Sequence, residues 1–521
     1  MLVLLLGAAV PAHAGNGKAS RAEVLDRLNA VIEELEAADE ALRPKPKPKP
    51  KQKVKKVAHT LRERVRDAVL KLPRPLRTVI DVRSTHSDGK HSFAQLYQMA
   101  HARGVEVLAF TEHDRTAVRY GIDPVAGILG YTYERPSLYT TGVEKFFRDL
   151  NEIRLAHPRM IFLAGTESTP GYHWTGIPFR GDFVLHGSDK HIIALGVERP
   201  RQVEALPSYR LSHMHSSLKL SVVFWTVSVF LLMLFLLYRR RRAVALLLFA
   251  SFVAFMATWL MQLRHEKDAD LDFLQTARKE KLFTIWAHPG TRSGMRTEAL
   301  GVKVETEPYS DKVFDGPHAD AFAALYGDSD HNCSVGGPWD RYLQKYLRGE
   351  KKRPLWAVAA GDFHYQGGFG LYLGDYPMDV WVREHSPAGV LMALQEGHAV
   401  AWQQTKGAAI RVRALGVSDG RGKVALPGDS IQGPGPFFLV VALAPVAEAE
   451  VGRNPESLVA QVVADGLAID APSLPVGSGK SVAIPLDLKG GDHVVRLRIP
   501  EQGGIRMEAN PFFIRVKGGK R

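Results

Sequence analysis

The sequence predicts an α/β protein: a β/α barrel interrupted by a transmembrane helical hairpin and followed by an antiparallel β-sandwich. Three observations carry that prediction. First, from residue 78 onward strand-like, turn and helical patterns alternate, and apolar runs at 105–110, 160–163, 282–287 and 355–360 each close on a carboxylate or a histidine. Strand ends are where a β/α barrel gathers its functional groups. Second, residues 218–238 and 243–263 carry almost no charge, and each run is about 20 residues, enough to cross a bilayer's hydrocarbon. Third, from residue 408 short runs rich in Val, Ile, Leu and Phe are divided by Gly, Pro and Asp, the spacing of a β-sandwich.

Composition bounds the partners. The chain has 521 residues, 45% of them hydrophobic and 24% charged, so it can bury the cores of two or three domains. Its formal charge of +13 would suit a polyanion, but the excess is local. Eight Lys or Arg fall within 43–56 and four more at 239–242, so no nucleic-acid partner is expected. One cysteine, Cys333, excludes an internal disulfide and a cysteine-rich zinc site.

In chain order, residues 1–14 are an apolar run closing on Ala12-His13-Ala14, the pattern of a secretory signal peptide. Residues 15–77 are helical and basic. Ser20-Arg21-Ala22-Glu23 opens an amphipathic helix over 20–42, and a second helix is expected over 57–71. Between them Pro alternates with Lys, which favours an extended, self-repelling linker. The barrel would occupy 78–217 and 264–406, with the hairpin at 218–263 and the sandwich at 407–521. Arg239 to Arg242 at the hairpin tip would remain on the cytoplasmic side, so a membrane-anchored chain with its barrel on the extracytoplasmic, periplasmic side is the expected localisation.

The strand-end clusters are Thr85-His86-Ser87-Asp88-Gly89, Phe110-Thr111-Glu112-His113-Asp114, Ala164-Gly165-Thr166-Glu167, His191-Ile192-Ile193, Trp286-Ala287-His288 and Gly361-Asp362-Phe363-His364. Imidazoles and carboxylates are the ligands that borderline divalent metals take, and a lone carboxylate such as Glu167 can bridge two of them. The metal-ligand candidates are therefore His86, Asp88, Glu112, His113, Glu167, His191, His288, Asp362 and His364, holding two or three divalent ions of Mn, Zn or Fe. Arg115 and Arg292, each directly beside a cluster, are placed to hold a phosphate bidentately. His91, His173 and His186 are left without a role.

This ordered series resembles the PHP (polymerase and histidinol phosphatase) superfamily of metal-dependent phosphoesterases. Ser87-Asp88-Gly89-Lys90-His91-Ser92, a helix, and then Gly104 through His113 are similar to the family's opening unit, with Glu112 where Asp is usual. The resemblance implies a distorted (β/α)7 barrel with a cluster of up to three ions. In it Asp88 and His113 match the first two motifs, Glu167 the bridging carboxylate, His191 and His288 the single histidines, and Asp362 and His364 the closing Asp-x-His. One motif departs. Where the family has His-x-His before Ser-Asp-Gly, this chain has Asp81-Val82-Arg83-Ser84-Thr85-His86. The trailing sandwich is similar to exported PHP metallohydrolases related to carbaryl hydrolase. The implied function is an exported, membrane-anchored hydrolase acting on a phosphate ester, with a lipid-linked ester as one candidate substrate. The alternative is a catalytically decayed metal- or ligand-binding envelope protein, and a replication nuclease conflicts with both the signal and the hairpin.

Overall fold

The computed structural model describes residues 52–121, 130–176, 181–208, 210–214, 268–297, 302–326, 331–368, 371–405, 407–446 and 454–517, with a few single positions between 226 and 249. The chain divides into two compact units, Met1–His59 and Thr60–Arg521, and the site lies wholly in the second. The expected signal peptide at 1–14, the helix at 20–42 and the Pro/Lys linker up to residue 51 lie outside the described residues, while the linker's last residues, 52–56, belong to the helix Gln52–Leu70.

Seven strands make the part that carries the site: β1 (Leu76–Val82), β2 (Val107–His113), β3 (Ile161–Ser168), β4 (Ile192–Leu195), β5 (Phe283–Trp286), β6 (Ala321–Leu325) and β7 (Trp356–Ala359). They neighbour one another in that order. β1–β2–β3 and β5–β6–β7 are parallel, while β4 runs antiparallel to both β3 and β5. Every residue of β2 and of β3 is buried, which is why these strands read as unbroken apolar runs with polar residues only at their ends. Just past β7 the ring meets its start: Val82 bridges Phe363, Arg83 N donates to Phe363 O at 2.8 Å, and Phe363 N donates to Asp81 O at 2.9 Å.

Helices cover the outside for local reasons. Phe93–Ala102 is capped by a Ser92/Gln95 capping box and buries Phe93, Leu96 and Ala100, one stripe at helical spacing. Val143–Ala156 buries Phe146, Phe147, Leu150 and Ile153, and Ala269–Lys279 starts at the Asp268 cap and buries Phe273, Leu274 and Ala277. These stripes and the strands form one apolar core. Segments leaving the rim of the ring build a separate five-stranded sheet from residues 171–175, 184–186, 210–214, 293–297 and 303–306, around Tyr172, Trp174, Phe183, Leu185 and Val304.

On its other side β1 pairs antiparallel with β8 (Pro377–Val380), then β9 (Ala399–Gln404), and the sheet continues into Ile505–Ala509 and Gly491–Gln502 near the C-terminus. The result is a fifteen-stranded sheet running out of the ring into the C-terminal part. There it faces a four-stranded sheet containing Ile410–Ser418 and Phe437–Pro445 across a core that includes Trp402, Leu415, Leu439 and Leu497, a sandwich-like packing. Val65 and Val69 of the helix Gln52–Leu70 pack against Ala414, Phe438 and Val440 of that smaller sheet.

Two expectations are corrected. The fold is mixed α/β with several sheets, and no transmembrane hairpin is found among the described residues, where no helix is long and apolar enough to cross a membrane. The longest described helix, Gln52–Leu70, has 19 residues and is rich in Lys and Arg. Within 218–263 only single helical positions such as Val229, Leu232 and Leu234 are described, and the rest of the expected hairpin lies outside the described residues. An uncharged run in sequence is a necessary condition for a span, but the span also has to be one continuous helix. The expected membrane-anchored, extracytoplasmic localisation is corrected with it, since no described helix supports a membrane anchor.

Candidate metal centre

The site is assembled at one rim of the ring. Glu112 and His113 end β2, Glu167 lies near the end of β3, His288 follows β5, and Asp362 and His364 follow β7. His191 reaches the same rim differently, because it precedes β4 and that strand runs antiparallel, with Ile192 opposite both Ser168 and Trp286. Asp88 comes from the loop after β1, docked where Lys90 N donates to His364 O at 3.0 Å and Thr85 N to His91 O at 3.1 Å. Gly89 permits this docking, since a Cβ there would lie 2.5 Å from the backbone of Arg83.

Three sets of donor atoms each fall within 4.8 Å of one another: Asp88, His113 and His364; His113, Glu167 and His191; Asp81, Glu167 and Asp362. His113 Nε2 is 3.6 Å from Asp88 Oδ2, and His364 Nε2 is 3.3 Å from the same oxygen. His191 Nδ1 is 3.2 Å from Glu167 Oε1 and 3.1 Å from His288 Nε2, which is itself 3.7 Å from Glu167 Oε1. His364 Nδ1–H donates to Asp362 O at 2.8 Å, fixing the ring so that Nε2 faces Asp88.

Electrostatics follow from burial. Burial pushes the Asp88 carboxyl up, but His364, His113 and Arg83 together hold it well below the usual carboxylate range. Burial lowers His364, yet Asp362 and Asp88 outweigh it and raise it to about 9. Burial, with His288 beside it, takes His191 down to about 4, and burial takes His113 well below its ordinary value, so both are neutral lone-pair donors at pH 7. Two kinds of atom suit a cation. Both oxygens of Glu167 and Nδ1 of His113 are buried without a hydrogen-bond partner among the described residues, although Glu167 Oε2 forms an ion pair with Arg83. The first two donor sets, and His288 beside them, therefore fit divalent ions in ligand chemistry and placement.

Not every candidate converges. His86 lies against Phe93 and Phe146 with Nε2 3.2 Å from Asp149 Oδ2, and it joins none of the three sets. Glu112 is fully buried and its oxygens accept from Ser84 N, Ser84 Oγ (2.6 Å) and Ser87 Oγ (2.5 Å). It clasps the loop that carries Asp88. Arg115 is exposed, 3.5 Å from Glu134, and Arg292 is exposed and paired with Glu305 and Glu307. His91 Nε2 accepts from Gln366 N at 3.1 Å, and His173 stacks on His186 in the five-stranded sheet.

Three residues at the rim were not among the expected ligands. Asp81 Oδ2 accepts from Asp362 N at 2.8 Å, Arg83 is enclosed between carboxylates, and Tyr326 Oη donates to Asp362 Oδ2 at 3.0 Å. Burial and the Asp362 carboxylate push the Tyr326 phenol up, keeping it a donor. Tyr326 follows the apolar run 321–325, so the strand-end rule applied once more would have found it.

Comparison with known proteins gives loose matches. No family model matches the chain. A phosphoribosyl 1,2-cyclic phosphate 1,2-diphosphodiesterase from Eggerthella lenta is 43% identical over 67 residues, 11% of this chain and 26% of that protein. The chain thus spans about a quarter of the length of the curated relative it matches. Among solved structures, a two-domain protein containing a predicted PHP-like metal-dependent phosphoesterase from Bacteroides vulgatus shares 11% identity at a TM-score of 0.32, over 85% of this chain and 97% of that one. A protein described as a metal-dependent phosphoesterase from Bifidobacterium adolescentis shares 13% at 0.25, over 58% and 92%. An amidohydrolase from Chromobacterium violaceum shares 16% at 0.24, over 56% and 88%. These neighbours include PHP-type proteins, the superfamily the sequence resembles. Nothing in them bears on the narrower likeness to carbaryl hydrolase, and at such TM-scores the reading of the site rests on its own geometry.

Proposed function

We propose that the protein is a metal-dependent phosphoesterase whose ions are held by Asp88, His113, Glu167, His191, His288 and His364, with Asp362 beside them. The observation that carries this is the burial of Glu167 and His113 with ligand atoms that no hydrogen bond satisfies among the described residues, beside the neutral imidazole of His191 and the carboxylate of Asp88. When bound, divalent ions supply water of lowered pKa and positive charge for the oxygens of a phosphorus centre. The chain's own part is positional. Glu167 faces His113 with one oxygen and His191 and His288 with the other. His364 is turned by its bond to Asp362 O, and Glu112 holds the Asp88 loop through Ser84 and Ser87. Arg115 and Arg292 are proposed to take the phosphate, exchanging their exposed carboxylate partners for it. The substrate class is a phosphate ester, and Mn, Zn or Fe suits the ligands.

A second reading, a metal-binding protein without turnover, is favoured by the arginine at position 83, which sits where a ligand to a further ion would be useful. Both are tested by measuring bound metal and the hydrolysis of aryl phosphate mono- and diesters with Mn, Zn and Fe. Glu167→Ala and His288→Ala are expected to lose metal and turnover together, and Asp362→Ala, beside the ions, to weaken metal binding about 10–100-fold. Bound metal with no turnover on the panel selects the second reading; unchanged metal content in all three variants overturns the ligand assignment.

A further inference from the structure

The third donor set differs from the other two in that its centre is already taken. Arg83 is fully buried, and its side chain enters between the three carboxylates. Nη1 donates to Asp81 Oδ1 at 2.8 Å, while Nη2 donates to Asp362 Oδ1 at 3.1 Å and lies against Glu167 Oε2. From outside the set, Thr111 pins the same group: Nη1 donates to its carbonyl at 2.6 Å and to its hydroxyl at 2.8 Å. A cation bound to these oxygens would need them at about 2.0–2.2 Å from its centre, the space that Nη2 fills. A guanidinium has five donors, no acceptor and a permanent charge, so it can neither ligate an ion nor ionise to make room for one.

We propose that the Arg83 guanidinium takes the place of a metal ion among Asp81, Glu167 and Asp362, so that ions are confined to the remaining donor sets, Asp88 with His113 and His364, and His113 with Glu167 and His191, beside which His288 lies. The proposal deepens the reading of the site as a metal centre and rests on it. Arg83 matches an ion in one respect, since it offsets carboxylate charge in a place closed to water. It differs in the other: it holds no water and offers no open coordination position. Activation of a nucleophile therefore belongs to the side of the site occupied by the histidines, and the Asp362 side is electrostatic and structural.

The sequence offers the test directly, because positions 81 and 83 are the two that carry the departing motif. The double variant Asp81→His/Arg83→His replaces the fixed cation by two imidazoles facing Glu167 and Asp362. Wild type and variant are stripped with a chelator, reloaded with Mn2+ or Zn2+, desalted, and analysed for ions per chain. The variant is expected to hold about one ion per chain more than wild type. No gain in a variant that keeps the wild-type circular dichroism overturns the proposal, as does a wild type that already holds a third ion. Should the double variant fail to fold, Arg83→Ala supplies the second measurement. It leaves two buried carboxylates and the half-buried Asp362 uncompensated, so its thermal midpoint is expected to rise with added Mn2+ by more than that of wild type. An equal rise, or none, counts against the proposal. Turnover is not read in either experiment: a wild type that holds ions and hydrolyses nothing defeats the phosphoesterase reading alone.

Discussion

Replacing Glu112 by Gln separates a ligand from a clasp. The carboxylate is fully buried, and four contacts converge on it: Ser84 N at 3.1 and 3.0 Å on the two oxygens, Ser84 Oγ at 2.6 Å and Ser87 Oγ at 2.5 Å. Burial pushes its carboxyl up, and the serine hydroxyls pull it back. An amide of the same shape keeps one accepting oxygen and turns an NH2 toward Ser84 N, which cannot accept, and toward serine hydroxyls that must rotate to do so. Hydrogen bonds to charged groups contribute about 1.5–3 kcal/mol each, so Glu112→Gln is expected to cost about 2–3 kcal/mol after the hydroxyls reorient.

The loop from Ser84 to Asp88 is what that energy holds, so the loss should reach the ion site indirectly. Removing a residue that orients a ligand typically weakens metal binding about 10–100-fold, and the variant should still load at high metal concentration. Urea unfolding of the metal-free protein gives the stability term, and metal titration of the same preparation gives the affinity. A variant as stable as wild type that binds no metal at any concentration would make Glu112 a direct ligand and refute the clasp. Unchanged stability with unchanged affinity would refute both roles.

Burial holds the His318 imidazole down at about 4, only partly offset by Asp320, against 6.5 in the unfolded chain. The unfolded state then binds more protons between those values, so stability is lost as pH falls from about 6.5 toward 4, by up to about 2–3 kcal/mol for this partly exposed ring. His318→Phe should flatten that part of the pH–stability curve, and superimposable curves would contradict the assignment. Arg496 is fully buried, with Nε and Nη2 on Asp340 at 2.6 and 2.9 Å and Nη1 on Glu508 at 2.9 Å, and it joins the helix Pro338–Leu347 to the large sheet. Arg496→Met leaves the buried Asp340 without its guanidinium and Glu508 with Arg498 in its place, and should cost about 3–5 kcal/mol in urea unfolding; a loss below about 1 kcal/mol would show the pairing to be replaceable.

What the sequence made legible was the rim rule. A strand buried on both faces shows as a continuous apolar run, so the first polar residue after it marks the rim, and Glu167, His288 and Asp362 were all found that way. The same rule hid the sense of β4. His191 stands before its strand, and nothing in Ile192-Ile193-Ala194-Leu195 says that the strand runs backwards. Glu112 was misjudged for a different reason: residue type and strand end are visible in sequence, but the two serines that use up its lone pairs are brought from β1's loop by the fold. The hairpin expectation came from hydropathy, which reports composition along the chain, whereas a span is a property of one unbroken helix, and none of the described helices is one.

The departure at positions 81 and 83 looked in sequence like a motif with two ligands missing. The contacts make it a coupled pair. Asp81 accepts from Arg83 Nη1 with Oδ1 and from Asp362 N with Oδ2, each at 2.8 Å. A neutral imidazole has only one accepting nitrogen and could serve one of these donors, so a histidine at 81 alone would release either the guanidinium or the backbone of Asp362. That backbone is held in the left-handed region, φ 46°, as are Asp81 at 71° and His288 at 30°. Such conformations cost about 1–3 kcal/mol each and persist only where surrounding contacts impose them. With Asp81 and Arg83 in place, the clasp between the ends of β1 and β7 depends on no ion: the carboxylate fixes Asp362 N, and the guanidinium fixes the carboxylates. The geometry that a bound cation would impose on this side of the rim is instead imposed by the chain.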